Sequence, residues 1–112
     1  MSLLRELNRT GALRTLDDAL ANTLRRLDPS TPDEVLAAAA LASLAVANGH
    51  AGFDPASARQ LVDADIAWPD AEAWMQTLAA SRFVAAPASP GDEAEAAPLV
   101  LEHGLLYLRR YR

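Results

Sequence analysis

The sequence predicts a mainly α fold: a compact bundle of about four to five helices closed by a small C-terminal β-hairpin, with room for a short third strand. Three observations predict it. Hydrophobic residues fill 51% of the chain while aromatics fill 5%, so the apolar content is mostly Ala and Leu, which favours helices packed closely through small side chains. Leucines recur in steps of three and four before Asp28, and two apolar runs near the end flank a Glu-His-Gly turn. At 112 residues, 1–112 is expected to be one domain around one core.

Leu3, Leu4 and Leu7 predict a short opening helix, interrupted near Gly11. Leu13, Leu16, Leu20, Leu24 and Leu27 then draw one stripe along a helix whose outer, solvated face carries Arg14, Asp17, Asp18, Arg25 and Arg26. Asp28-Pro29 ends it, because the residue before proline avoids the α region. Thr31-Pro32-Asp33-Glu34 supplies a cap, a first-position proline and a capping-box carboxylate, and opens a helix from about Pro32 to Asn48. That helix is apolar nearly all round and therefore central; Asn48-Gly49 closes it.

His50-Ala51-Gly52-Phe53 is a non-helical link with space for one short strand, although Ala51-Gly52 is a poor strand former. Asp54-Pro55 opens a helix to about Ala64, and Trp68-Pro69-Asp70 opens another through Trp74, Met75 and Leu78 to about Ser81. Arg82-Phe83-Val84 can extend as a strand. Residues 86–97, with Pro87, Pro90, Gly91, Asp92, Glu93 and Glu95 among small residues, read as a mobile acidic loop. Residues 98–112 read as a β-hairpin, with Gly104 taking the positive φ of a tight turn.

Composition also excludes functions. There is no Cys, hence no disulfide framework, thiolate nucleophile or zinc ribbon. All ten basic residues are Arg, which rules out a lysine Schiff base and a GxxxxGK[ST] phosphate loop within the chain. A net charge of −5 opposes nonspecific binding to phosphate backbones. The longest apolar run, Val35 to Ala47, falls short of the roughly 20 residues a bilayer span needs, and an acid, Glu6, and polar residues come too early for a secretory signal with a long apolar h-region. A cytoplasmic protein without membrane contact is expected.

Candidate chemistry is sparse. His50 and His103 lie far apart without a second ligand at helical spacing; a turn position and hydrogen bonds to freed carbonyls explain them. Asp17-Asp18 reads as a solvated face, Asp33-Glu34 as a helix N-terminus, and Asp63/Asp65 as a helix end. No catalytic residue, metal site or cofactor is expected. Two features point to binding. Trp68 and Trp74 flank the start of one helix, either as bulky fillers of an Ala-rich core or as interface anchors. In the last residues, strand alternation places Tyr107, Arg109 and Tyr111 on one face and Leu108, Arg110 and Arg112 on the other, as a charged edge strand or as a surface for a partner.

The closing stretch Pro98-Leu99-Val100-Leu101-Glu102-His103-Gly104-Leu105-Leu106-Tyr107-Leu108-Arg109-Arg110-Tyr111 resembles the hairpin that ends the N-terminal domain of the alpha subunit of exodeoxyribonuclease V, the RecD family. The upstream order is similar too: a Leu-striped helix ending at Leu27-Asp28-Pro29, an Ala/Leu-rich helix closing at Gly49-His50, and the Trp74 helix before an acidic loop. The resemblance implies that the full subunit is an ATP-dependent 5′-to-3′ DNA helicase in a heterotrimer that processes double-strand breaks for recombination. It implies that this domain docks the motor onto the gamma subunit and, through it, the beta subunit, with DNA touched only indirectly or weakly. The helicase motifs would then follow beyond Arg112, the chain being truncated before them. The isolated chain is expected to self-associate if a partner normally covers apolar surface. The alternative is a winged-helix-like module that touches DNA through Arg109, Arg110 and Arg112.

Overall fold

The Ala/Leu-rich segment lies in the middle, as its composition requires: every residue from Val35 to Ala45 is buried in a computed structural model, which describes residues 2–85 and 97–108. In chain order the elements are α1 (Leu3–Arg9), α2 (Thr15–Leu27), α3 (Asp33–Ala47), a 3-10 turn (Pro55–Ser57), α4 (Ala58–Leu61), α5 (Ala71–Ala79), β1 (Val84–Ala85), β2 (Leu99–Glu102) and β3 (Leu105–Leu108). The fold is mainly α with a small C-terminal sheet. Helices α1, α2 and α5 and strand β3 all pack on α3, whose small side chains let neighbours approach on every side.

Local chemistry sets the element ends. Ser2 caps α1 by accepting from the Arg5 amide at 3.0 Å. The capping box expected at Thr31/Glu34 does not form: Pro32 occupies the cap position, and the Thr31 hydroxyl donates to the Asp28 carbonyl at 2.7 Å. Asp33 accepts instead from the Leu4 amide at 3.2 Å, tying α1 to the start of α3. Gly49 takes φ +88 past the end of α3, and the His50 amide donates back to the Ala45 carbonyl at 2.9 Å. The helix expected to run to Ala64 is cut to a 3-10 turn and α4, because Val62 turns extended and enters the core. Asp70 caps α5 through the Ala73 amide at 3.1 Å.

The hairpin is present, and β1 completes a three-stranded sheet in the order β1-β2-β3. β1 runs parallel to β2 (Val84 opposite Leu99), and β2 antiparallel to β3 (Leu101 opposite Leu106). His103 and Gly104 both have positive φ, +55 and +76, the pairing of a type I′ turn, whose twist suits a two-residue hairpin. On the far side of β3, Phe53 exchanges two hydrogen bonds with Leu106, at 2.8 and 2.7 Å, so the His50–Phe53 link contributes one bridge rather than a strand. Leu99 and Leu106 face the main core, while Ala85, Ala97, Val100 and Tyr107 form a smaller cluster. The loop expected at 86–97 lies outside the described residues except for Ala97, which is buried.

One expectation is overturned on α2. The residues buried there are Asp17, Ala21 and Leu24, while Leu16 and Leu27 are 65% and 64% exposed. The helix is rotated so that its small Ala21 meets the alanines of α3 and its carboxylate meets a serine there.

Candidate docking surfaces

Trp74 leaves the set of candidate interface residues. Its side chain is 1% exposed, its indole N–H donates to the Glu34 carbonyl at 2.9 Å, and its ring meets Phe53 edge-on at 5.4 Å. These contacts tie α5 to α3 and to the Phe53 bridge, which is the filler role that an Ala-rich core needs. Trp68 stacks on Trp74 at 6.3 Å from the margin of the core and stays partly exposed. Its Nε1 is buried with no hydrogen-bond partner among the described residues.

Tyr107 stands half-buried on the second face of the sheet. Gly52 permits this, because a Cβ there would lie 2.9 Å from the Leu106 carbonyl oxygen and 3.0 Å from the Tyr107 ring. Glycine in a poor strand former is therefore what lets the link approach β3. Arg109, Arg110 and Tyr111 lie outside the described residues.

The α2–α3 interface contains the buried polar group that leucine spacing concealed. Asp17 is 0% exposed and accepts from the Ser43 hydroxyl at 2.6 Å, from the Arg14 amide at 2.9 Å and from the Arg14 guanidinium at 2.7 and 3.2 Å. Burial pushes this carboxyl up, but the hydrogen bonds from the Arg14 side chain, Ser43 and the Arg14 backbone outweigh it and hold it below the usual carboxylate range. The signal in the sequence was an Asp in the first turn of the helix, where its carboxylate can accept from the backbone amide three residues earlier, as it does from Arg14. Beside this buried row, Leu16 and Leu27 present apolar side chains to solvent.

Two further carboxylates also do structural work. Asp28 accepts from both the hydroxyl and the amide of Ser30, which with Arg82 nearby holds its carboxyl low. Asp54 accepts from the Ala56 amide and the Ser57 hydroxyl. His103 is exposed in the hairpin turn next to Glu102, and His50 lines a cleft of about 410 Å³ with Phe53, Asp54 and Leu61. Among the described residues no three His, Cys, Asp or Glu side chains gather as a metal site, and no helix is long and apolar enough to cross a membrane.

Two kinds of surface are thus available to a partner: the exposed leucines of α2, and the Tyr107 end of β3. A family model described as the RecBCD enzyme subunit RecD, N-terminal domain, matches residues 9–107. No curated protein and no solved structure matches the chain.

Proposed function

This chain belongs to the RecD N-terminal domain family, and from that premise we propose that it is a docking domain without chemistry of its own. It holds the DNA-helicase motor of an exodeoxyribonuclease V alpha subunit against the gamma subunit and, through it, the beta subunit, in double-strand break repair and recombination in the cytoplasm. The observation that carries this reading is the family match across residues 9–107. The side chains add support: Asp17, Asp28, Asp33, Asp54 and Asp70 each hold backbone or helix in place, and Leu16 and Leu27 remain apolar and uncovered.

The contact surface combines the apolar ridge of α2 with Tyr107 and the residues after it, Arg109, Arg110 and Tyr111, with Trp68 at a margin. Aromatics and Arg are the residue types that anchor interfaces, and exposed Leu supplies apolar area. Co-expression with the gamma subunit tests the proposal. The two should elute together, and Tyr107→Ala or Arg109→Glu should weaken the association. A retarded DNA duplex at low salt, with no gamma subunit retained, would favour the winged-helix reading instead.

A further inference from the structure

On α2 the leucine row and the buried face are two different lines. Leu13, Leu16, Leu20, Thr23 and Leu27 follow one another in alternating steps of three and four, the spacing of a coiled-coil seam, whereas Asp17, Ala21 and Leu24 take the inner position against α3. The seam is therefore left at the edge of the molecule. Leu13 and Leu20 lean on the core from its margin, and Leu16 and Leu27 are the only exposed large apolar side chains among the described residues. Thr23 adds no unpaired polar group to the row, because its hydroxyl donates to the Ala19 carbonyl at 2.9 Å. Leu16 and Leu27 stand about three turns, or about 16 Å, apart, with Leu20 and Thr23 spaced symmetrically between them. Reversed end for end, such a row matches itself.

We propose that α2 pairs with α2 of a second copy of this chain, antiparallel about a two-fold axis that passes between Leu20 and Thr23. In this register Leu16 lies on the second copy's Leu27, and Leu20 on its Thr23. One operation then covers the exposed leucines of both copies, as an isologous interface requires. Charge selects the antiparallel sense. The first turn of α2 is acidic, with Asp17 and Asp18, and its last turn basic, with Arg25 and Arg26. Reversal sets unlike ends and opposed helix dipoles side by side, while parallel pairing would set like beside like. Arg26, which forms no ion pair among the described residues, comes to lie beside the second copy's Ala19, whose small side chain leaves room for the arginine stem. A single pair of helices of 13 residues falls short of the roughly 1,000 Å² that a lasting complex buries. The dimer is therefore reversible, and a tighter partner on the same face replaces it. The proposal concerns the chain alone, so its failure leaves attachment to the gamma subunit untouched, and the converse holds.

Sedimentation equilibrium of the 112-residue chain tests the pairing. With rising concentration the mass should climb from the 11.9 kDa of one chain towards twice that value, and the Leu16→Ser, Leu27→Ser double variant should stay at the mass of one chain. Ala19→Glu places an acid opposite the second copy's Arg26 twice per dimer and should tighten the association about threefold; a gain of this kind cannot come from misfolding. The register is read by cross-linking. The chain has no Cys, so Leu16→Cys and Leu27→Cys each introduce one thiol. Mixed and treated with a short bis-maleimide, the two variants should join to each other in preference to joining each to itself. A mass that stays at one chain over the whole range, a double variant that associates as the parent does, weaker association of Ala19→Glu, or preferential self-linking of either Cys variant would each overturn the proposal.

Discussion

The Ser43 hydroxyl on α3 donates to the Asp17 carboxylate on α2 at 2.6 Å, a polar link buried inside the apolar contact between these two helices. Arg14, half-exposed at the head of α2, completes the charge balance from the solvent side. The carboxylate is thus hydrogen-bonded on both oxygens, as a buried charge requires.

This link makes stability depend on acid. The Asp17 pKa is lower in the folded chain than the value near 3.9 expected when unfolded. Its stabilisation is therefore complete above that unfolded value and is lost as pH falls below about 4, through the folded pKa. Urea midpoints at pH 7, 5 and 3 should show Asp17→Asn losing less between pH 5 and pH 3 than the parent chain does. Ser43→Ala should cost about 1–2 kcal/mol at pH 7, because it strips one donor from a buried carboxylate that Arg14 still partners.

Gly52→Ala should destabilise by about 1–3 kcal/mol, the usual range for forced overpacking. The added methyl meets the backbone oxygen of Leu106, which cannot rotate away as a side chain would. Denaturant titration measures the loss, and the Phe53 and Leu106 amides should lose protection from hydrogen exchange before those of α3 do.

The two tryptophans should separate. Trp74→Ala removes a fully packed indole and its bond to Glu34, for a loss of about 3–5 kcal/mol. Trp68→Phe deletes a buried donor that lacks a partner among the described residues and keeps an aromatic ring stacked on Trp74, so its cost should stay within about 1 kcal/mol. Thermal or urea unfolding of the two variants gives both numbers.

How far these features were legible in the sequence varies with the distance of their partners. The central position of α3 followed from its own alanines, the cap at Asp54 from one dipeptide, and the hairpin from the residues around Gly104. The rotation of α2 was not legible. Leu13, Leu16, Leu20, Leu24 and Leu27 form one stripe, but the buried face of α2 lies to one side of it, through Asp17, Ala21 and Leu24, and that depends on Ser43, distant in the chain. Leucine spacing shows where an apolar face can be, whereas Asp17 took the inner position because a hydroxyl and a guanidinium awaited it. The parallel pairing of β1 with β2 was hidden for the same reason, since it joins residues on either side of a long connection. Trp68 and Trp74 share a residue type and a neighbourhood, and their different burial follows from the path of the Val62–Pro69 segment.

Leu16→Ser together with Leu27→Ser should leave stability within about 0.5 kcal/mol, because both side chains are mostly in water already. The same pair should weaken attachment to the gamma subunit at least tenfold if α2 supplies part of the contact. Unfolding curves and a pull-down series on one preparation check both halves.

Calorimetric titration of the purified chain into the purified gamma subunit reaches the docking reading most directly. Saturable heat with one chain bound per gamma subunit, reduced by Tyr107→Ala and by the α2 double variant, is the predicted result. No heat of binding, in a preparation that instead hydrolyses ATP or retards DNA, would contradict it.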